Sequence, residues 1–303
     1  TGLIGQDLPT HKSVFKAAQT SYKLADGQNE LAVRLEATGP EGVQVAKTYV
    51  FKRGSYVVDV KYELANNSAN ALKASAYYRF LRDGYKPEAG MMGTNTFTGP
   101  AVYTDEGKFQ KVDFDKLAEN KAEFVSKAKD GWVAMLQHYF ATAWLVSPNG
   151  RDPVCGAQDC RFDLKKLPDG LFSAGVIVDL PEVAAGGKLE TGVPLFLGPE
   201  DTRILKQVAP GFDLVKDYGW VTVIATPLYW LLEKLHGLVG NWGWAIILLT
   251  ILIKAAFYPL SAASYRSMAK MRVLAPRMQQ LKERYGDDRM KLQQAMMQLY
   301  KDK

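Results

Sequence analysis

Nineteen consecutive residues, Trp242 to Leu260 (WGWAIILLTILIKAAFYPL), carry a single formal charge. At about 1.5 Å per residue, such a run reaches across the roughly 30 Å hydrocarbon core of a bilayer, so a membrane-spanning helix is predicted here. Trp242 and Trp244 at one end and Tyr258 near the other fit the aromatic belts of a span. More than two hundred residues precede it, which excludes a signal peptide.

Charge sets the expected orientation. The net +6 is unevenly spread: residues 1–219 hold 26 Lys+Arg against 27 Asp+Glu, and residues 220–303 hold 12 against 5. Residues 261–303 alone carry ten Lys+Arg against four Asp+Glu. Short basic flanks stay in the cytoplasm, so the segment before the span is expected outside it. The basic segment is expected to meet the lipid bilayer and cytoplasmic partners, with no direct sequence-specific contact to nucleic acid. With 47% apolar and 23% charged residues, disorder, collagen and a disulfide-dense miniprotein are excluded.

The first two hundred residues read as strands. Glu30–Thr38, Val43–Phe51 and Tyr56–Leu64 alternate apolar with polar side chains and are separated by turn residues such as Gly39-Pro40 and Lys52-Arg53-Gly54-Ser55. Further candidates are Leu72–Leu81, Ala101–Tyr103, Phe109–Phe114, Trp132–Val146, Phe172–Asp179 and Lys188–Phe196. Many short strands without intervening helices predict antiparallel sheets packed as a sandwich. Asp201–Ala209 has helical periodicity and stops at Pro210-Gly211, as a closing helix does.

Beyond this point the pattern is helical. Trp220–Val239 is largely apolar but holds Pro227, Glu233, Lys234 and His236, which suits an amphipathic helix in the membrane interface; a buried helix of the β domain is the alternative. After the span, Leu274, Met278, Leu281 and Tyr285 recur at helical spacing, with Pro276 marking a break or a new first turn. Gly286-Asp287-Asp288 reads as a helix stop and N-cap before Arg289–Tyr300. Two short antiparallel cytoplasmic helices are therefore expected.

Few residues point to catalysis. His11, His138 and His236 lie in separate settings without metal-ligand spacing, and nucleotide or G-x-S-x-G motifs are absent, so neither a metal nor a cofactor is expected. His138 alone falls in a credible strand, where a satisfied sheet histidine is the plainer reading. Cys155 and Cys160 could form a disulfide in an oxidising compartment or remain two free thiols. Asn66-Asn67-Ser68 fits a glycosylation pattern that chance produces often.

Lys254 is the informative residue. Twelve residues beyond Trp242, it stands about 18 Å into the span, slightly past the midplane toward the cytoplasm. An ammonium there costs about 2.5–3.5 kcal/mol on insertion scales, so it needs a wet cavity, a partner, or an escape by snorkelling to the headgroups. Six of the nine methionines (Met268, Met271, Met278, Met290, Met296 and Met297) lie in the basic segment. Adaptable thioethers beside Arg289 could receive apolar peptide surfaces, or Met278 and Met296 could form the seam between the two helices.

The segment Gly240–Lys301 (GNWGWAIILLTILIKAAFYPLSAASYRSMAKMRVLAPRMQQLKERYGDDRMKLQQAMMQLYK) resembles the start of the conserved membrane region of the YidC/Oxa membrane protein insertase family. It is similar to the family's second transmembrane helix and most of its first cytoplasmic loop. GWVAMLQHYFATAW (Gly131–Trp144), LFLGPE (Leu195–Glu200) and DYGW (Asp217–Trp220) resemble the large periplasmic domain of Gram-negative members.

The resemblance implies a periplasmic antiparallel β-super-sandwich, mutarotase-like, followed by an α-helical membrane segment and a cytoplasmic helical hairpin. It divides the chain into a β domain with its closing helix at 1–212, a linker and interfacial helix at 213–239, a transmembrane helix at 240–260 and an incomplete hairpin at 261–303. It also implies insertion of nascent integral membrane proteins into the inner membrane, alone or with the Sec translocon including SecD and SecF, without covalent chemistry. Ribosomes or targeting factors would meet the hairpin. Lys254 stands where the family usually carries an arginine in a hydrophilic groove, which favours the wet cavity over snorkelling but removes the planar five-donor fork. The family's groove needs five helices, so this chain is expected to be part of a longer protein. Two competing readings are a membrane-tethered periplasmic carbohydrate-binding protein or sugar epimerase, and a single-span scaffold for which Lys254 is dispensable.

Overall fold

Alternating side chains in the first two-thirds of the chain become two antiparallel sheets. The computed structural model describes residues 1–86, 97–156, 158–216, 221–285 and 289–301, in two units, Thr1–Asp217 and Tyr218–Lys303. Strands in the first unit are β1 (Gly2–Ile4), β2 (Lys16–Ala17), β3 (Glu30–Thr38), β4 (Gln44–Lys52), β5 (Val57–Ala65), β6 (Ser75–Arg82) and β7 (Gly99–Thr104). They continue as β8 (Lys108–Lys111), β9 (Lys127–Ala128), β10 (Trp132–Leu136), β11 (Phe140–Leu145), β12 (Cys160–Lys166), β13 (Phe172–Asp179) and β14 (Lys188–Pro199). The five-stranded sheet runs β1-β6-β13-β12-β9 and the nine-stranded sheet β2-β3-β4-β5-β14-β11-β10-β7-β8. This is the β-rich sandwich expected from the strand pattern.

The two sheets meet over one apolar core. Val60, Tyr62, Val133 and Trp144 from the larger sheet pack with Tyr78, Phe162 and Val176 from the smaller. Tyr78 lies between Tyr62 and Trp144, with ring centroids 6.0 and 5.2 Å away. The other face of the larger sheet is covered by α2 (Thr202–Val208) and a 3-10 turn at Phe212–Val215. There Phe212 meets Trp132 and Phe196 at 4.9 and 5.1 Å, and the Trp132 indole donates to the Pro210 carbonyl at 3.1 Å. Covering both faces explains why β10, all five of whose residues are buried, reads as a continuous apolar run. Gly211 turns the chain at φ 65°, where a Cβ would strike the Tyr103 ring.

Several strand expectations change. Trp132–Val146 is two strands joined at Gln137–Tyr139, where the Gln137 N–H donates to the Phe140 carbonyl at 3.0 Å. His138 therefore occupies an exposed turn and not a strand. The Phe109–Phe114 candidate stops at Lys111, and Phe114 opens α1 (Phe114–Ala118) with its ring buried. Leu72 forms only an isolated bridge with Val183, and regular pairing begins at Ser75. Asn66 of the glycosylation pattern is buried, its amide donating to the carbonyls of Asn70, Val183 and Ala184. Cys155 and Cys160 are joined as a disulfide with their Cα atoms 5.2 Å apart.

The second unit is helical: α3 (Thr222–Val239), α4 (Trp242–Tyr285) and α5 (Arg289–Lys301). Gly240 ends α3 in the left-handed conformation, its N–H donating to His236 O at 2.8 Å. Asn241 then caps α4, its side-chain oxygen accepting from the Gly243 and Trp244 N–H groups at 2.8 and 3.3 Å. The His236 imidazole stacks on the Trp242 indole, with centroids 3.8 Å apart and planes 13° from parallel. Pro259 and Pro276 lie inside α4, which continues through both. The expected break at Pro276 is absent, and the first arm of the hairpin is the continuation of the apolar helix rather than a separate short one. The expected turn at Gly286-Asp287-Asp288 lies outside the described residues.

Candidate functional site

Within α4, Trp242–Ala269 is long and apolar enough to cross a membrane, with a mean hydropathy of 1.9. Ala245 is buried and Leu248 and Leu249 are half-buried, whereas Ile246, Ile247, Ile251, Leu252 and Phe257 are exposed. A helix whose apolar side chains face outward on most of its circumference needs an apolar surrounding. Its one covered face is the one that meets α3.

Lys254 lies on the exposed surface of α4. At about 100° per residue it shares a stripe with Thr250, Tyr258 and Ser261, which stand four before, four after and seven after it. Thr250 is satisfied within the helix, its hydroxyl donating to Ile246 O at 2.8 Å. Lys254 thus brings a cation to a narrow polar stripe on an otherwise apolar helix.

The methionines divide into two sets. Met278, Leu281 and Tyr285 of α4 and Leu292 and Ala295 of α5 are half-buried where the two helices pack. Met290 and Met297, seven residues apart on α5, are 77% and 60% exposed on one face. The side chains of Arg289 and Met296 lie outside the described residues, as does Asp217–Trp220.

Among the described residues of the β domain, no comparable arrangement assembles. A hollow of about 730 Å³ opens on the larger sheet beside Arg34, Glu36, Glu63 and Glu190. Its acids are already paired: Arg34 with Glu36 and Glu63 at 2.9 and 2.6 Å, and Lys61 with Glu190 at 2.8 Å. Among the described residues, no group of three or more His, Cys, Asp or Glu side chains could hold a metal ion.

Two ionic features are invisible in the strand pattern because burial in the assembled sheet and, for Asp59, a partner 92 residues away create them. Asp59 of β5 is nearly buried and is held by Arg151 at 2.5 Å and Lys52 at 3.3 Å. Burial works to raise its pKa, but these cations outweigh it and hold the carboxyl below its ordinary value. Glu200, just after β14, is pushed up to about 7 by burial, with Lys216 opposing. No local sequence signal marks either group; only the assembled sheet does.

Residues 1–231 match the family model described as the YidC periplasmic domain, and residues 234–303 match the 60Kd inner membrane protein model. Over 99% of its length the chain is 59% identical to a membrane protein insertase YidC from Laribacter hongkongensis and 53% identical to one from Aromatoleum aromaticum. It spans about half the length of these curated relatives, 55% and 54%. A galactose mutarotase related enzyme from Lactobacillus acidophilus overlaps 61% of this chain, and 71% of its own, at 9% identity with a TM-score of 0.34. That overlap is too slight to argue from. With its relatives named insertases and His138 in an exposed turn, the epimerase reading is not favoured.

Proposed function

The chain belongs to the YidC family, and from that premise we propose that it acts as part of an insertase and chaperone for nascent integral membrane proteins of the inner membrane. The observation that carries this reading is the outward-facing apolar helix with Lys254 on its polar stripe, in a chain matched by the family's models along both units. Neither covalent chemistry nor nucleotide hydrolysis is required. The work is a lowering of desolvation cost: Lys254 attracts acidic residues of the entering polar segment and keeps water beside it. The apolar segment of the substrate then moves into lipid, driven by burial of its own surface.

In this reading the β domain is periplasmic and the α4–α5 end cytoplasmic, an orientation supported by the basic flank at 261–303. Met290 and Met297 offer an apolar face to nascent chains, ribosomes or targeting factors, with Arg289 and Met296 on the same helix. The Sec translocon, with SecD and SecF, is a proposed partner.

Complementation of YidC-depleted cells by the full-length protein tests the electrostatic role. Lys254→Glu is expected to impair insertion of substrates with acidic periplasmic tails, and Lys254→Arg to support it. Normal insertion by the Glu variant overturns the role of Lys254.

A further inference from the structure

One end of the nine-stranded sheet carries a band of large apolar side chains that no described residue of the β domain covers. β4 ends there, β5 and β11 begin there, and β14 ends there; the pairs Phe51↔Val58, Val57↔Phe196 and Phe140↔Pro199 set these strand ends side by side. The Leu197 N–H donates to Tyr56 O and the Glu200 N–H to Tyr139 O, both at 2.9 Å, which extends the row beyond the strands. Phe51, Tyr56, Tyr139, Phe140 and Leu197 are all exposed, Tyr139 by 68% and Phe140 by 57%. Single exposed apolar residues are ordinary on a protein surface, but five at one sheet end form a patch that calls for an occupant. The opposite end, near Thr38, Gln44, Ala65 and Lys188, borders the ion-paired hollow instead.

The course of the chain says which occupant. After β14 it runs out along α2 and returns through the Phe212–Val215 turn, whose Phe212 ring meets that of Phe196, next to Leu197, at 5.1 Å at this same end. Leu214 of that turn is exposed. Five residues, 217–221, then lead to α3, whose Val223, Ile224 and Trp230 are exposed, and α3 leads directly into the apolar helix α4. The apolar end is thus the one from which the chain departs for its membrane segment. A cation sits at its rim: the Arg53 guanidinium, in the β4–β5 turn, is held by the carbonyls of Gln28 and Ala25 at 3.1 and 3.3 Å. Tyrosines and phenylalanines beside a cation are the residues that settle at a lipid interface.

We propose that this end of the β domain is a lipid-docking surface, with Tyr139, Phe140 and Leu197 entering the headgroup and acyl boundary and Arg53 meeting anionic headgroups. It rests on the reading of α3 and α4 as membrane segments. Docking would hold the β domain against the bilayer surface.

The test uses the full-length protein in vesicles of phosphatidylethanolamine and phosphatidylglycerol carrying doxyl-labelled lipid. An environment-sensitive fluorophore is attached through Tyr139→Cys or Phe140→Cys, with Val14→Cys at the opposite sheet end and Leu252→Cys in α4 as references. The expected result is quenching at 139 and 140, approaching that at 252, with none at 14; Phe140→Ser with Leu197→Ser abolishes it at 139. Quenching at 252 but not at 139 or 140 overturns the docking surface while leaving the membrane helix intact. A label at 140 that is shielded from water yet unquenched by lipid assigns the patch to a protein or a second copy and equally overturns it. Absence of quenching at 252 defeats the membrane reading beneath it.

Discussion

Ala245 and Lys254 stand on opposite faces of α4: nine residues at about 100° each bring the two side chains half a turn apart. Ala245 is buried and Lys254 exposed, so the covered and the cationic faces of the helix are separate. One helix can therefore be held by α3 on one side and present its charge on the other. A small residue at the covered position lets helices approach closely.

The same separation at the α4–α5 end makes a prediction about contacts. Photo-crosslinking side chains placed at Met290 and Met297, which face outward together, are expected to capture nascent chains or cytosolic partners during insertion. The same group at Leu292, half-buried in the seam, is expected to label mainly α4. Labelling confined to α4 from all three positions would make the methionines packing residues only.

Asp59 offers a stability test remote from the membrane. Arg151→Met leaves a nearly buried carboxylate with Lys52 alone. The expected cost is about 2 kcal/mol, a fall of roughly 4–8 °C in the melting temperature for a domain of this size. Because the Asp59 pKa is depressed, the paired form stabilises the fold fully above the ordinary value of 3.8 and loses that contribution as the pH falls through the folded value. The gap between the wild type and the variant should close on strong acidification in thermal melts.

Glu200 has the opposite sign. Its carboxyl, raised from 4.5 to about 7, keeps its proton more readily in the folded than in the unfolded chain. The resulting penalty is absent below about 4.5, grows between there and about 7, and is complete above. Glu200→Gln is therefore expected to raise the melting temperature at pH 8 by about 3 °C and to change it little at pH 4. An equal shift at both values would remove burial of the charge as the cause.

Legibility from sequence tracked the range of the interaction. Glu30–Thr38 matches its strand because alternation is a local property of a sheet. Trp132–Val146 hid a turn because both faces of β10 are covered and the apolar run gives no polar punctuation until Gln137. Cys160, Phe162 and Leu164 alternate with Arg161, Asp163 and Lys165 in β12, the same local signal in a strand that the expected set lacks. Pro276 suggested a break, because an interior proline removes one backbone hydrogen bond and crowds the preceding turn, yet α4 continues through it. Lys254 stood out because a charge in an apolar run is visible without any fold. Its relation to Ala245 needed only the helical period, whereas Asp59 and Arg151, 92 residues apart, needed the assembled sheet.

The unbroken length of α4 has a mechanical consequence. Its 44 residues extend about 66 Å, roughly twice a hydrocarbon core. Such a rod is a lever: a load applied where α5 folds back is delivered as tilt to the part bearing Lys254. Pro259 and Pro276 are the two places along it where stiffness is lowest, and so where that load divides between bending and transmission.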